Sequence, residues 1–533
     1  MSTIKLFFSA FALQALFFAL IAGAENDESS CRLSNVFGDH MVLQREDPST
    51  MVWGFASAGT VVTTTFATTK FTAIADSDGV WRQALPSTPA NAVGQTLSFA
   101  CSTGESFHLN DVLFGDLHIC GGQSNMQFTV GCIGQQLGFD AQAEIEEASN
   151  YPNIRTMTVG ELWTSIEPLQ ELHDMTLPWS VASNSSIGLG NWSATSAVCW
   201  FYAKDLYDAT GVPVGIISSN WGGTIIQSWS DNATNAKCKT SMDAGDIELP
   251  PGVDGPEAFV SNSALVSYPN PNTGYGVLWN AMINPFTVGP MSVKSFIWFQ
   301  GESNLGQGGP FYACAQNAMI EMWRSYFKKP KAFFGFVELE PWIGVSTNLA
   351  DFRKYQLESL ALENVGYAIA TDIGDPTGPF GSIHPRNKKL VGKRLAAAAL
   401  TISYGKPTNY LPPFYKSGTS VEAEAGTMAV EISFGDLPTK LVTAHDYCRT
   451  DLKVPSTQCA WFTITGTDGV ARNATASISA DGKSLVLKAS TNITTATPAT
   501  TSFGWNAWPV NTVMTAEGLP LQPWNEEKVA AYS

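Results

Sequence analysis

The sequence is short of basic residues, of histidine and of long apolar runs. Its 533 residues hold 30 lysines and arginines against 47 acidic residues, which gives a formal net charge of −17. So acidic a chain lacks the positive surface that phosphate backbones require, which argues against a nucleic-acid partner. Only six histidines are present. With no CxxC and no HExxH motif, the sequence gives a metal site little support. Hydrophobic residues make up 44% of the chain, so it is expected to fold around a large core.

The one long apolar run lies at the N-terminus, over residues 1–24. A single lysine, Lys5, precedes it, and it ends in the small-residue pattern Ala22-Gly23-Ala24, which is typical of a secretory signal peptide cleaved before Glu25. The alternative is an uncleaved membrane anchor, because the run approaches the length that spans a bilayer. The acidic residues that follow favour cleavage. We therefore expect a secreted or lysosomal protein without a membrane partner after cleavage.

Nine cysteines and five N-glycosylation sequons fit this route. The sequons begin at Asn184, Asn191, Asn232, Asn473 and Asn492. In an oxidising compartment some cysteines are expected to pair, and an odd number leaves at least one thiol over. Cys448 and Cys459 are the easiest local pair. Cys120 lies in an apolar strand and is interpreted as a buried thiol.

The chain divides into regions of different pattern. Short alternating runs rich in β-branched residues occupy the region before residue 109 and return beyond about 406, which indicates a β domain at each end. Between them, strand-like runs alternate with helix-like segments, which predicts an α/β core with a mostly parallel sheet. The predicted strands of the core lie at 111–119, 214–218, 292–298, 331–337 and 365–370, and the clearest helices at 315–326 and 388–400. The predicted regions are a signal peptide (1–24), an N-terminal β domain (25–108), a catalytic domain (109–405) and a C-terminal β domain (406–533).

Ser124 is the strongest candidate nucleophile. It follows an apolar strand and Gly121-Gly122, at the kind of strand end where α/β sheets build their sites. A serine that opens a helix there has backbone N–H groups and the positive helix end beside its hydroxyl, which suits a developing oxyanion. The alternative is a serine that merely caps a helix, since the G-x-S-x-G elbow is absent.

His384 is the best-placed base. It follows a loop rich in glycine and proline and precedes the predicted helix at 388–400. The partial positive charge at a helix N-terminus disfavours protonation of an imidazole there, which suits a general base near neutral pH. The alternative is a histidine that caps the helix or satisfies loop groups.

Several motifs resemble, in order, the blocks of the sialate O-acetylesterases. Three of these blocks are Gly122-Gln-Ser-Asn-Met126, Trp298-Phe-Gln-Gly-Glu302 and Gly381-Ser-Ile-His-Pro-Arg386. Further similar stretches are Phe37–Arg45, Ser219–Trp229, Leu278–Ile283 and Ala516–Pro520, so that the resemblance covers nearly the whole chain after residue 24. These are SGNH-type hydrolases that remove O-acetyl groups from sialic acids. The resemblance implies a three-layer, flavodoxin-like α/β core flanked by β domains.

The resemblance also implies the roles of individual residues. It makes Ser124 the nucleophile and His384 its base, with no metal or organic cofactor. It draws the oxyanion hole from the Ser124 N–H, a glycine of the Gly222-Gly223 pair (here Gly223) and Gln300. Three further residues are predicted to contact substrate, and these are Gln123, Asn125 and Arg386. Glu302 is not predicted to be catalytic.

The third catalytic member is open at the level of sequence. SGNH enzymes commonly carry an aspartate three residues before the histidine, but this chain has Gly381 there. Asp375 is the candidate, with Asp372 or a backbone carbonyl near Ser382 as alternatives, because an acceptor on the imidazole need not be charged to fix its tautomer.

The substrate is also open beyond its class. A sialic acid carboxylate needs a local cation in so acidic a protein, and Arg386 and Arg353 are the candidates. The nearest alternative is an esterase for another acetylated carbohydrate, such as acetylated xylan, where no cation is expected. The alternative from another class is an inactive glycan-binding protein, which the 16 tryptophans would suit.

Overall fold

A computed structural model describes residues 30–136, 138–161, 163–238, 265–267, 274–345, 349–435, 437, 439–444, 461–491 and 496–531. The predicted signal peptide (1–24), the predicted Cys448–Cys459 pair and the sequon at Asn492 lie outside the described residues.

The N-terminal region consists of short strands, as its alternating pattern predicts. They are β1 (Arg32–Leu33), β2 (Val42–Gln44), β3 (Met51–Phe55), β4 (Val61–Phe66), β5 (Thr69–Ile74), β6 (Val80–Ala84) and β7 (Asn91–Cys101). Strands β1, β3 and β6 form one sheet, while β4 lies between β5 and β7 in another. A long strand, β8 (Ser106–Gly122), pairs antiparallel with β7 and then continues into the centre of the molecule.

The central strands form the sheet that carries the candidate site. They are β9 (Gln135–Gln136), β10 (Phe139–Asp140), β11 (Ile154–Val159), β12 (Trp163–Ser165), β13 (Met175–Val181), β14 (Val214–Asn220), β15 (Leu265–Ser267), β16 (Ser295–Phe299), β17 (Phe333–Val337) and β18 (Val365–Ala368). The order across the sheet is β13-β11-β14-β8-β16-β17-β18. Each of the five predicted core strands overlaps one strand of this sheet. Neighbours from β11 to β18 run parallel, whereas β13 runs antiparallel to β11.

The expectation of a mostly parallel core between separate β domains needs correction. The sheet is mixed and has eleven strands, because β2, β4, β5 and β7 join it through β8. One hydrophobic cluster accordingly runs from Trp53 in β3 to Leu395 beyond β18. The physical reason is the length of β8, which has 17 residues. Its first half pairs with the N-terminal strands, and its second half pairs with the parallel strands of the central sheet.

Helices cover both faces of the sheet. They are α1 (Ser124–Gln127), α2 (Val130–Ile133), α3 (Ala141–Glu147), α4 (Asn184–Ile187), α5 (Ala197–Thr210), α6 (Asn232–Asn235), α7 (Gly309–Tyr326), α8 (Leu349–Gln356) and α9 (Lys388–Tyr404). Shorter helical turns lie at Ala148–Asn150, Ile226–Trp229, Trp279–Ile283, Asn284–Thr287, Glu302–Gln307 and Leu357–Ala361. Successive residues of β8 point to opposite faces. Cys120 bonds to Cys199 of α5, whereas a Cβ on Gly121 would lie 2.9 Å from Trp323 of α7.

The C-terminal strands close into a barrel with its own hydrophobic cluster. They are β19 (Phe414–Ser420), β20 (Thr427–Gly435), β21 (Leu441–Thr443), β22 (Phe462–Gly466), β23 (Ala471–Ile478), β24 (Ser484–Ser490), β25 (Pro498–Phe503), β26 (Val513–Thr515) and β27 (Trp524–Ala530). The barrel order is β19-β20-β24-β23-β22-β25-β27, and β21 pairs with β26. Its cluster includes Ile464, Leu487 and Trp524.

Three disulfides link described cysteines. They are Cys31–Cys101, Cys120–Cys199 and Cys238–Cys314. The interpretation of Cys120 as a buried thiol was wrong, because α5 packs on β8 and brings Cys199 to it from 79 residues away, a contact that a single strand pattern does not reveal. Cys132 is a buried free thiol.

Among the residues that the structure describes, no helix is long and apolar enough to cross a membrane.

Candidate active site

The nucleophile candidate stands at the carboxyl end of β8, where three parallel strands end together. Gly122 is opposite Asn220 of β14 and Phe299 of β16. Gly122 has φ of +142°, and a Cβ there would lie 2.1 Å from the Phe299 carbonyl oxygen, so only glycine fits. The chain can therefore turn away from the sheet at once, and Ser124 becomes the first residue of α1, half-buried at the sheet edge.

His384 lies directly against this serine. Its Nε2 is 2.8 Å from Ser124 Oγ, and its Nδ1 is 2.9 Å from the carbonyl oxygen of Phe380. A carbonyl oxygen only accepts, so Nδ1 carries the proton and Nε2 is left to accept from the serine hydroxyl. Burial lowers the pKa of His384, as does the nearby Lys388 cation, although the Phe380 contact opposes them. The imidazole is thus neutral and correctly oriented to act as a base.

The sequence predicts the His384 imidazole at the N-terminus of a helix, and the structure differs on this point. Helix α9 begins at Lys388, four residues after the histidine, and the Asn387 side chain caps it by accepting from the Leu390 N–H at 3.3 Å. His384 therefore lies in the preceding loop. Its own N–H donates to the Gly381 carbonyl at 3.1 Å.

Neither candidate aspartate contacts the imidazole. The Asp375 carboxylate accepts from Arg386 Nε at 2.5 Å and from its Nη2 at 3.0 Å. Burial raises the pKa of Asp375, but the bonds from Arg386 outweigh it, and the net pKa is lowered. The Asp372 carboxylate pairs with Arg394 through two contacts of 2.7 Å. The sequence leaves Asp375, Asp372 and a backbone carbonyl as options for the acceptor on the imidazole. In the structure the acceptor is a backbone carbonyl, that of Phe380.

Two backbone N–H groups of the nucleophile and the glycine loop have no acceptor in the part of the chain that the structure describes. They belong to Ser124 itself and to Gly223, which is exposed with φ of +74°. The neighbouring Gly222 N–H donates instead to Gln127 Oε1 at 2.8 Å. A Cβ on Gly222 would lie 3.3 Å from the Ser124 Cβ, so the glycine loop passes close to the nucleophile.

Gln300 lies beneath this loop and is fully buried. Its Nε2 is within 3.1 Å of Gln123 Oε1, the Thr224 carbonyl oxygen and Asn304 Oδ1. An amide nitrogen carries only two hydrogens, so protein acceptors already use both. Gln123 is 2% exposed, and its Oε1 also accepts from the backbone N–H groups of Gly301 and Ser303. Both glutamines brace the glycine loop and the end of β16 from below.

Asn125 is the hub of a buried polar cluster behind Ser124. Its Nδ2 lies 2.6 Å from Glu302 Oε1, 2.9 Å from the Ile383 carbonyl oxygen, and against Glu340 Oε1. Its Oδ1 accepts from Lys388 Nζ at 2.5 Å. The asparagine thus ties the residue before His384 to the helix that carries Ser124, and its side chain has no exposure to substrate.

Three ionisable groups of this cluster are wholly buried. Burial raises the pKa of Glu340 to about 8, with a further contribution from the Glu302 charge. Burial also raises the pKa of Glu302 and lowers that of Lys388 to about 8. Two carboxyl groups around one ammonium group hold one excess negative charge when all are ionised, which favours retention of a proton on the carboxyl pair near neutral pH.

Other residues at the site were not singled out from the sequence. Gln127 lies three residues after Ser124 in α1, a spacing that places side chains on one helical face. Lys388 is the first residue of α9, four residues after His384, so both lie within four residues of a predicted site residue. That spacing was the available signal for them. Trp192, whose ring lies against that of His384, and Glu161, which accepts from Gln127 Nε2, come from distant loops, and nothing local in the sequence connects them to the nucleophile.

Comparisons with known proteins identify the family. No protein-family model matches the chain. The sialate O-acetylesterase of Mus musculus is 32% identical over 413 residues, which cover 70% of this chain and 74% of that protein. The sialate O-acetylesterase of Rattus norvegicus is 33% identical over 411 residues, with coverage of 70% and 74%. Among solved structures, a carbohydrate acetylesterase from Xanthomonas citri is 28% identical, with a TM-score of 0.72 and coverage of 93% of this chain and 99% of that one. At this identity and coverage, the chain belongs to the sialate O-acetylesterase family of carboxylic ester hydrolases.

Proposed function

We propose that this protein removes O-acetyl groups from sialic acids by acyl transfer through Ser124, with His384 as the general base. The observation that carries the proposal is the 2.8 Å contact between Ser124 Oγ and His384 Nε2, in a ring whose other nitrogen is held by a carbonyl oxygen. The names of the mammalian relatives support the substrate. The carbohydrate acetylesterase from Xanthomonas citri supports the broader class.

The proposed reaction has two halves that use the same proton acceptor. His384 Nε2 takes the Ser124 hydroxyl proton as Oγ bonds to the acetyl carbonyl carbon. The tetrahedral intermediate collapses with loss of the sugar oxygen, which receives that proton from His384. Water then attacks the acetyl-serine with His384 again as base, and acetate leaves as Ser124 regains its proton. No step uses a metal ion or an organic cofactor.

The proposed catalytic group is a Ser–His dyad in which the Phe380 carbonyl orients the ring. This carbonyl accepts from Nδ1–H at 2.9 Å and keeps the productive tautomer. Asp375 then acts on the loop, through Arg386, rather than on the ring.

The proposed oxyanion hole consists of the N–H groups of Ser124 and Gly223. Both lack a protein acceptor among the described residues, and the glycine loop passes close to the nucleophile, since a Cβ on Gly222 would lie 3.3 Å from the Ser124 Cβ. Preorganised N–H donors of this kind typically supply about 3–4 kcal/mol each of transition-state stabilisation. Gln300 has no amide hydrogen left to donate to the oxyanion and supports the loop instead, through its Nε2 donation to the Thr224 carbonyl oxygen at 3.0 Å.

A specific observation favours a second candidate, a neutral acetylated carbohydrate such as acetylated xylan. The two arginines expected to meet a sialate carboxylate are both engaged. Arg386 forms a two-point ion pair with Asp375, and Arg353 is 3% exposed and donates to the carbonyl oxygens of Leu339 and Glu340. A neutral sugar requires neither cation.

The proposed location is the secretory route, as a secreted or lysosomal protein cleaved after residue 24. Three disulfides support an oxidising compartment. The four described sequon asparagines (Asn184, Asn191, Asn232 and Asn473) are all exposed, as glycan acceptors must be. The region 109–405 is proposed as the catalytic unit of the SGNH type, between regions 25–108 and 406–533.

Acetate release from 9-O-acetylated sialic acid, acetylated xylan and an aryl acetate tests the proposal, at pH 5 and pH 7. Ser124→Ala and His384→Ala are each expected to abolish release while the fold is retained. The chain offers a matched control pair, because exposed His108 Nδ1 lies 3.0 Å from Ser98 Oγ far from the site. Ser98→Ala and His108→Ala should leave turnover unchanged.

The outcomes separate the candidates. Serine-dependent release that favours the sialate supports the first candidate, and release from xylan alone supports the second. Near-wild-type turnover in Ser124→Ala contradicts the mechanism. A wild-type chain that releases no acetate and is not labelled by a serine-hydrolase probe favours the glycan-binding alternative.

A further inference from the structure

The position of the sugar in the proposed reaction follows from the path of the proton. His384 Nε2 accepts from Ser124 Oγ and later donates to the departing sugar oxygen, so that oxygen must come within hydrogen-bond reach of the same nitrogen. The sugar moiety therefore lies beside the His384 ring. A side chain that adjoins this ring and is partly open to solvent is in a position to contact the sugar.

Trp192 is such a side chain. It is half-buried, and its ring centroid lies 5.2 Å from that of His384, with the two planes at 74°. Phe128 and Phe380 back the indole edge-on, with centroids 5.1 Å away in both cases. These neighbours fix the ring in one orientation, so it forms a rigid aromatic wall next to the proposed base.

The backbone at Trp192 is strained, and hydrogen bonds with Gln127 and Thr129, which closely follow Ser124 in the chain, stabilise this conformation. Its φ is +66°, a left-handed conformation that is unfavourable for a residue other than glycine. Thr129 Oγ1 accepts from the Trp192 N–H at 3.3 Å, and Gln127 Nε2 donates to its carbonyl oxygen at 3.1 Å. Thr129 Oγ1 also donates to the Gly190 carbonyl oxygen at 2.8 Å.

These hydrogen bonds connect the backbone of Trp192 to the helix that begins at Ser124. Gln127 is the last residue of the helix that Ser124 begins, and the same side chain accepts from the Gly222 N–H of the glycine loop. Strain that is over-determined by surrounding contacts is characteristic of functional positions.

We propose that the Trp192 indole is the surface on which the sugar moiety of the substrate packs, which makes Trp192 a specificity-determining residue. This rests on the proposed function. The C–H face of a sugar is apolar while its hydroxyl groups point outward, so an aromatic wall buries that face and leaves the hydroxyl groups hydrated. The class of substrate selected is an ester whose alcohol is a sugar, over an ester of a small alcohol.

The test compares two kinds of ester in the full-length protein. The sugar ester is whichever of 9-O-acetylated sialic acid and acetylated xylan the wild type hydrolyses faster, and the reference is ethyl acetate, whose alcohol has no face to pack. Trp192→Gly removes the ring and accepts the positive φ without strain, whereas Trp192→Phe retains an aromatic ring. Trp461→Gly removes a half-buried tryptophan of the C-terminal region as a matched control.

Trp192→Gly is expected to lower kcat/KM for the sugar ester by about tenfold, mainly through KM, with ethyl acetate changed by less than about threefold. Trp192→Phe is expected to retain most of the preference, and Trp461→Gly all of it. Equal losses on both esters would mean that the ring only positions His384, and no loss on either would mean that it contacts nothing; each overturns the proposal. Serine-dependent hydrolysis of ethyl acetate without hydrolysis of either sugar ester overturns it too, while the Ser–His mechanism stands. Turnover that survives Ser124→Ala refutes the mechanism itself.

Discussion

Asp375→Asn distinguishes a Ser–His dyad from a triad. In a triad the carboxylate holds the imidazole, and the same substitution lowers kcat by about four orders of magnitude. In this protein both carboxylate oxygens of Asp375 lie on Arg386, at 2.5 and 3.0 Å, while Phe380 holds the ring. The pair is largely buried, with side chains 13% and 18% exposed. An asparagine keeps one acceptor for Arg386, so we expect kcat/KM to fall by less than about tenfold, or about 1.4 kcal/mol.

The assay is the kcat/KM for an aryl acetate between pH 5 and pH 8, with unfolding followed in denaturant. Arg386→Gln breaks the same ion pair from the other side and should produce a loss of similar size. Because the folded-state pKa of Asp375 is lowered, the stability that the pair contributes is present above the ordinary aspartate pKa and is lost as pH falls through the lowered value. A loss beyond about a hundredfold in Asp375→Asn, with Arg386→Gln nearly unaffected, would refute the dyad.

Three further predictions concern the groups around the dyad. Gln127→Met removes the acceptor of the Gly222 N–H and is expected to lower kcat by about tenfold with little change in KM, measured on an aryl acetate; an effect on KM alone would contradict a role in shaping the oxyanion hole. Burial lowers the pKa of His384 below its ordinary 6.5, so the neutral base persists into mild acid, and kcat/KM should fall only as pH drops through a midpoint below 6.5; a midpoint above 6.5 would argue against it. Lys388→Met leaves two buried carboxyl groups without their cation and is expected to lower the free energy of unfolding by about 3–5 kcal/mol, whereas exposed Lys389→Met should change it little, and equal effects would contradict the argument.

Much of the secondary structure follows from local patterning. The apolar runs at 214–218 and 365–370 fall on β14 and β18. The helix predicted at 388–400 begins at the predicted residue and ends at Tyr404, where Gly405 takes φ of +63°. Period and turn residues are local signals, so they survive without knowledge of neighbours. The mixed sheet did not follow from them, because which strands β8 joins is decided by pairing over long sequence separations.

The site divides along the same line. The strand–Gly-Gly–Ser pattern and the loop before a helix indicate Ser124 and His384, and the structure has them 2.8 Å apart. The sequence also assigns Asp375 to the reaction as the candidate third member, and the family resemblance assigns Gln123 and Asn125 to substrate contact. In the structure their polar atoms are used by Arg386 and by the buried groups behind Ser124. The sequence pattern does not distinguish a side chain that contacts the substrate from one that supports the site through internal hydrogen bonds.

The sequence by itself determined the family, the nucleophile and base candidates, and the strand ends on which they stand, because each of these depends on residue type and short spacing. Only the tertiary structure decided what holds the His384 ring, that the N–H groups of Ser124 and Gly223 lack a protein acceptor among the described residues, and that Trp192 lies next to His384. The physical reason is that hydrogen-bond donors and acceptors are allotted by competition in space. The Asp375 carboxylate pairs with the partly buried Arg386 guanidinium. The carbonyl oxygen of Phe380 in the loop therefore accepts the hydrogen bond from the imidazole.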